Sequence, residues 1–294
     1  MINKLCVIGV GLIGGSLARD LKRLGAVREV VGCSRNPENL QKALDLGVID
    51  SFSTDVAQAA QGADMVVLAV PLEAMQGIFE SLQGSLAESA VVTDVGSSKC
   101  AVIKAVDTVF SGTPAWFVPG HPIAGAENSG VEAAVDGLFV DHRVILTPIA
   151  ETGAGALQRV RGMWQQVGAE IIEMEPHHHD EVLAATSHLP HMLAYTLVDV
   201  LGRMQDRVEI FRYAAGGFRD FTRIASSDPR MWHDVCLANR EAMIGVLEHF
   251  AEDLDQLIEA VRAGDGEYLF GVFTRAKAFR DRFAQNGPAA SGSR

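Results

Sequence analysis

The stretch Lys4–Ser16, KLCVIGVGLIGGS, restricts the possible folds more than any other in the chain. An apolar run of strand length ends at Gly9, Gly11 and Gly14, spaced G-x-G-x-x-G, and a helical pattern opens at once. Such a junction needs Gly9 for the tight turn, Gly11 so that a pyrophosphate can approach the backbone, and Gly14 so that helix packs on strand. In a chain with 29 glycines the spacing alone says little. Its place at the first β–α turn points to a dinucleotide site; a plain helix–strand contact needing small residues is the alternative.

The next segments keep the same alternation. EVVGCS, DMVVLAV and AVVTDVG are short, valine-rich and continuous, as strands buried on both faces of a parallel sheet are. Segments with helical spacing, Leu12–Leu24 and Glu73–Leu86, lie between them, and RVILTPI and EIIEM add two strands before about residue 175. The expected fold is a Rossmann-type, doubly wound α/β dinucleotide-binding domain over residues 1–175. From His177 onward only helical patterns follow. Met243, Val246, Leu247, Phe250, Leu254, Leu257, Ile258 and Val261 step by three and four up to Gly264, and Leu269, Phe270, Phe273, Ala276 and Phe279 mark a further helix. Residues 176–286 are therefore expected to form an all-helical domain, and GPAASGSR, 287–294, a disordered tail.

Charge and cysteine content exclude several partners. The 25 Lys and Arg against 37 Asp and Glu give a net charge of −12, which argues against nucleic acid. An anionic small substrate then needs a local cation. The four cysteines show no C-x-x-C pairing, and Cys6 and Cys33 read as buried thiols in a reducing compartment. The first strand has no basic leader before it, and no apolar run nears the roughly 18 residues of a membrane span. A cytoplasmic protein with no membrane contact is expected.

Polar residues collect at the strand ends, where ligands bind in such sheets. GCSRNPE places Ser34 and Arg35 where an acid would bind a ribose; a hydroxyl and a guanidinium suit a 2′-phosphate, unless the arginine simply faces solvent. DVGSSK offers Ser97, Ser98 and Lys99, with Ser97 also able to cap the next helix. In FVPGHPIAGAEN, Pro119, Gly120, Pro122 and Gly125 surround His121 and forbid helix, holding the imidazole in a stiff loop. His121 is a candidate acid or base, against a structural histidine bonded to backbone. HHHD, His177–Asp180, reads as a solvated helix entry. TSHLPHML puts His188 and His191 on one helical face; with no H-E-x-x-H and no third ligand, zinc is rejected and no metal site is expected.

These segments, with YAAGGFRDFTRIASSDPRMWHD, resemble the prephenate/arogenate (cyclohexadienyl) dehydrogenases over nearly the whole chain: GVGLIGGS, DVGSSK, HPIAGAE, SHLPH and GFRDFTRIASSDPxMW occur in order. The resemblance implies NAD(P)-dependent oxidative decarboxylation of a cyclohexadienol in tyrosine biosynthesis. It makes His121 the acceptor for the ring hydroxyl and Ser97 a bridge between that hydroxyl and the cofactor. Arg223 becomes the substrate-carboxylate ligand, His188, His191, Gly217 and Trp232 the pocket wall, and Glu127 and Asp220 its gate. The dinucleotide set is Gly9, Gly11, Leu12, Ile13 and Gly14 with Ser34, Arg35, Val70, Pro71 and Ser97. Since Ser34 stands where an acid would repel a 2′-phosphate, NADP is favoured and NAD retained. A dicarboxylate substrate and a homodimer through the helical half are expected. Because the chain stops after the helical half, any tyrosine inhibition is expected to be competitive. Two rivals remain at this stage: a 3-hydroxyacid- or imine-type dehydrogenase, and a non-catalytic dinucleotide sensor.

Overall fold

The computed structural model of the chain describes residues 1–125, 129–204, 212–213 and 215–286. Six parallel strands form the main sheet: β1 (Ile2–Ile8), β2 (Val27–Cys33), β3 (Ser51–Ser53), β4 (Met65–Leu68), β5 (Val91–Asp94) and β6 (Phe117–Val118). Their order, β3-β2-β1-β4-β5-β6, is that of a Rossmann sheet, with the reversal of strand order between β1 and β4. Leu5–Ile8 of β1 and Met65–Leu68 of β4 are buried, which is why these runs are apolar on both faces. One core forms around Leu5, Val7, Leu17 and Leu21, the other around Cys6, Ile8, Phe79 and Phe117. Each fully buried side chain of this kind contributes about 1.5–3 kcal/mol. The helices between the strands are α1 (Leu12–Arg23), α2 (Pro37–Asp45), α3 (Val56–Ala60), α4 (Met75–Leu82) and α5 (Lys99–Phe110).

A second, three-stranded sheet contains β7 (Gly120–Pro122), β8 (Arg143–Leu146) and β9 (Glu170–Glu173), with α6 (Ala154–Gln166) between the last two. RVILTPI and EIIEM therefore leave the main sheet, and β3 and β6 complete it. His121 lies on β7, paired antiparallel with Ile145, not in a free loop. The prolines end β6 at Val118 but leave residue 121 extended.

After β9 the described residues form helices: α7 (Pro176–Leu183), a π turn over Ala184–His188, α8 (Leu189–Arg203), α9 (Gly216–Thr222), α10 (Pro229–Ala238), α11 (Arg240–Ala263) and α12 (Gly266–Asn286). α11 ends before Gly264, whose φ of +70° a side chain would disfavour. The chain divides into two compact units, 1–243 and 244–294, so the helices up to α10 pack with the sheets in one unit. The expected tail, 287–294, lies outside the described residues.

Candidate active site

The glycines of the first turn have different duties. Gly9 has φ +99°, and a Cβ there would stand 2.1 Å from the Ala69 carbonyl oxygen; one on Gly14 would stand 2.3 Å from the Gly9 oxygen. Both are required by the fold itself. Gly11, the N-cap residue of α1, faces open space, with nothing within 4 Å of a Cβ. No side chain caps α1 and no acid lies in its first turn, so the N–H groups around Leu12 and Ile13 are left for an anion. This cradle fits the pyrophosphate of a dinucleotide.

Val70, half-buried beside Gly9, and exposed Pro71 follow β4 on the other side of the switch point. At the tip of β2, Ser34 is half-buried and Arg35 exposed. The Ser34 hydroxyl donates to the Asn36 carbonyl (3.1 Å) and accepts the Asn36 N–H (3.2 Å), so contact with a ribose or phosphate requires its proton to leave that turn. Asn39 donates to the Val10 carbonyl at 2.9 Å and ties this tip to the glycine loop.

Ser97 is half-buried in the turn between β5 and α5. The N-cap position of α5 belongs to Ser98, not Ser97, and its cap comes from elsewhere. Asp180 of α7 accepts the N–H groups of Lys99 (2.7 Å) and Cys100 (3.0 Å) and the Ser98 hydroxyl (3.0 Å). Burial opposes its ionisation, but the bonds from His179, Lys99 and Cys100 outweigh this and hold its carboxyl down at about 2.

The reading of His177–Asp180 as a solvated entry is corrected here. His177 and His178 are exposed, but His179 and Asp180 are buried. His179 Nδ1 is 2.8 Å from Asp180 Oδ1, and its Nε2 is 2.9 Å from His121 Nδ1. An ionised carboxylate only accepts, so His179 carries its proton on Nδ1 and offers a lone pair at Nε2. His121 then donates from Nδ1, and its Nε2 is left as an acceptor with no partner among the described residues. Burial, followed by the influence of His179 and Lys99, holds His121 well below the ordinary imidazole value. It is therefore neutral at pH 7.

Two more imidazoles, His188 and His191, follow on the next turns of the chain. His188, buried on the π turn, is pushed by burial to about 4, and its Nδ1 accepts from Asn239 Nδ2 at 3.2 Å. The Asn239 amide is oriented by its bond to the Asp180 carbonyl at 2.8 Å, so His188 presents an Nε2–H donor. His191 donates Nδ1–H to the Ser187 carbonyl (2.8 Å) and stacks on Trp232, with centroids 3.7 Å apart. Trp232 also meets His188 edge-on at 6.0 Å, and its buried Nε1 has no partner among the described residues. Arg223 is exposed just beyond α9, and its charge reaches His191. Gly217 and Asp220 lie exposed on α9, while Glu127 falls outside the described residues.

Residues 17–173 match the prephenate dehydrogenase nucleotide-binding domain, and residues 175–275 the prephenate dehydrogenase dimerization domain. A cyclohexadienyl dehydrogenase of Zymomonas mobilis is 40% identical over 285 residues, 95% of this chain and 96% of its own. Among solved structures, a prephenate dehydrogenase of Aquifex aeolicus in complex with hydroxyphenyl propionate and NAD+ superposes with a TM-score of 0.89 at 38% identity, covering 96% of this chain and 99% of that one. An arogenate dehydrogenase of Synechocystis gives 0.80 at 30% identity, over 95% and 99%. With both domains matched in sequence and a relative aligned nearly end to end, the chain belongs to the prephenate dehydrogenase family.

Proposed function

We propose that the protein oxidatively decarboxylates prephenate, arogenate or both with NAD(P)+, giving 4-hydroxyphenylpyruvate, tyrosine or both. Relatives named for prephenate, cyclohexadienyl and arogenate dehydrogenation support the reaction class. The observation that carries the reading is the Nε2 lone pair of His121, kept available by the bonds through His179 to Asp180, and the neutral ring that burial enforces, beside the dinucleotide crevice.

The bound nicotinamide supplies the hydride acceptor. His121 Nε2 accepts the hydrogen bond of the ring C4 hydroxyl and takes on its proton as the C4–H bond breaks. The ring C–CO2 bond breaks, its electron pair enters the ring, and aromatisation drives the step. The phenol product carries a proton on that oxygen, so His121 returns what it took and no net proton is lost. Ser97 bridges the hydroxyl and the cofactor. Arg223 binds a substrate carboxylate and supplies the cation that a chain of net charge −12 needs for a dianion. His188, His191, Gly217 and Trp232 line the pocket, with Glu127 and Asp220 at its entrance. Incubation with prephenate and with arogenate, each with NAD and with NADP, tests the reading by reduced-nicotinamide absorbance. No turnover with any pair refutes it.

NADP is accepted in preference to NAD, because Ser34 places no carboxylate against a 2′-phosphate and Arg35 follows it. Replacing Ser34 by Asp should move the kcat/KM ratio toward NAD; a native enzyme that rejects NADP contradicts this. The functional halves are 1–175 and 176–286, and the helical half forms a homodimer. Phe250, Leu254, Ile258 and Val261 on α11 and Phe270, Phe273 and Phe279 on α12 are exposed in the single chain, the kind of apolar surface that a second copy would cover. The protein works in the cytoplasm, where its four free cysteines stay reduced.

A further inference from the structure

Lys99 is a lysine with no exposed surface. It lies two residues after Ser97 and is bonded to the residue before His121, and Ser97 and His121 are the two residues assigned to the substrate hydroxyl. Its Nζ lies 2.5 Å from Asp94 Oδ2 and donates to the Gly120 carbonyl at 2.5 Å. Asp94 is equally buried. Its Oδ1 accepts the Gly120 N–H at 3.1 Å, and its Oδ2 the Gly96 N–H at 2.8 Å. Both backbone polar groups of Gly120 are thus held by one ion pair, and the next residue is His121. On the other side, Gly96 and Lys99 bracket Ser97.

A buried ion pair is a poor device for stability, because apolar residues of the same volume often serve as well. Burial also pushes the Lys99 ammonium down from its ordinary value, with Asp94 opposing. What the pair provides is direction. The β5–β6 ladder ends at Thr93 and Val118, and His121 belongs to the other sheet, opposite Ile145. Across that gap the pair makes bonds of fixed geometry to Gly96 and Gly120. The fit is close: a Cβ on Gly96 would stand 2.9 Å from Asp94 Oδ2, and one on Gly120 3.1 Å from the Asp94 carbonyl oxygen.

We propose that Lys99, with Asp94, is a positioning residue for the reaction: the buried pair sets the spacing between the Ser97 turn and the His121 strand, so that hydroxyl and imidazole reach one substrate oxygen. This rests on the function proposed above. The same ammonium acts on His121 as a charge. Among the described residues the groups that face His121 are His179 and Asp180 from α7, His188 from the π turn and Lys99 from α5; Asp180 favours its protonation and the others oppose it.

The test compares the native enzyme with Lys99→Met and with the paired variant Asp94→Asn/Lys99→Gln, which leaves no buried charge unpaired if the single variant does not fold. NAD affinity should stay within about twofold, since the glycine loop is untouched, and the substrate KM should hardly move. The kcat should fall about 100-fold, as expected for reacting groups displaced by about 1 Å. His121, followed by NMR of its imidazole without substrate, should titrate nearer to its ordinary value, and the acid limb of kcat/KM should move up with it. A purely structural role would not shift that titration. A folded, NAD-binding variant with native kcat and an unmoved His121 titration overturns the proposal. Native enzyme inactive on both substrates would instead refute the function, while the titration still reports on the contact between Lys99 and His121.

Discussion

The rings of His121 and His179 meet edge to face, inclined at 63°, with Nδ1 of the first 2.9 Å from Nε2 of the second. One proton lies between them. A second proton on His179 Nε2 would point at the His121 N–H, so the pair accepts its extra proton at His121 Nε2 alone. That is the atom the reaction needs.

His121→Asn is therefore expected to lower kcat by about 100-fold or more, the usual contribution of a general base, with NAD affinity unchanged. In the native enzyme the acid limb of kcat/KM should lie below the ordinary imidazole value of 6.5, because burial depresses His121. A limb at or above that value, or near-normal turnover in the variant, would remove His121 from the base role.

Acid sensitivity should come in two steps. His188 falls from 6.5 to about 4 in the fold, so the unfolded chain binds the extra proton first. Its stabilisation is whole above 6.5 and is lost as pH falls toward 4, about 3 kcal/mol in all. Asp180, moved from 3.8 to about 2, contributes about 2 kcal/mol that is present above 3.8 and lost as pH falls through 2. Urea midpoints measured down the pH scale should decline through both windows in the native protein. In Asp180→Asn the lower decline should be absent; its persistence would show that Asp180 is not the group concerned.

The continuous valine-rich runs and the glycine spacing carried the main sheet, because strands buried on both faces cannot tolerate polar residues. The second sheet was harder to read. RVILTPI is apolar enough for either sheet, and only the exit of the chain at Gly120 decides between them. The site divides in the same way. His121, His188 and His191 stand beside prolines or glycines that mark them in the sequence, whereas His179 sits in a run of three histidines with the pattern of a solvated helix entry. A signal was present: Pro176, His179, Asp180 and Leu183 are the buried positions of α7 and step as i, i+3, i+4, i+7. Two polar residues on an otherwise inward face imply buried partners, but nothing local says that the partner lies 58 positions earlier. Lys99 is conspicuous in the DVGSSK turn, yet its burial depends on Asp94 and Gly120 closing over it.

Arg223→Ala should raise the substrate KM about tenfold to 100-fold and leave the NAD Kd alone, since it removes one charge-assisted carboxylate contact. The arginine is exposed in the protein alone, near the His191–Trp232 stack, so its loss should barely move the Tm. A kcat effect with unchanged KM would make Arg223 a transition-state ligand, not a binding one.

The first-turn glycines allow fold and cofactor binding to be separated. Gly9→Ala puts a methyl 2.1 Å from the Ala69 oxygen at a φ of +99°, and should destabilise the protein by about 2 kcal/mol or more. Gly11 has φ −111° and ψ −154°, which alanine adopts freely, and nothing lies within 4 Å of the added carbon. Gly11→Ala should therefore change stability by no more than about 0.5 kcal/mol. Yet its methyl would stand where the pyrophosphate comes against the N-terminus of α1, and a loss of about 1.4 kcal/mol there is tenfold in affinity. Thermal melts and NAD titrations on the two variants should thus give opposite patterns: an early melt for Gly9→Ala, and a native melt with weakened NAD binding for Gly11→Ala. If Gly11→Ala binds NAD as tightly as the native protein, the pyrophosphate does not lie against this loop, and the open space before Gly11 has another use.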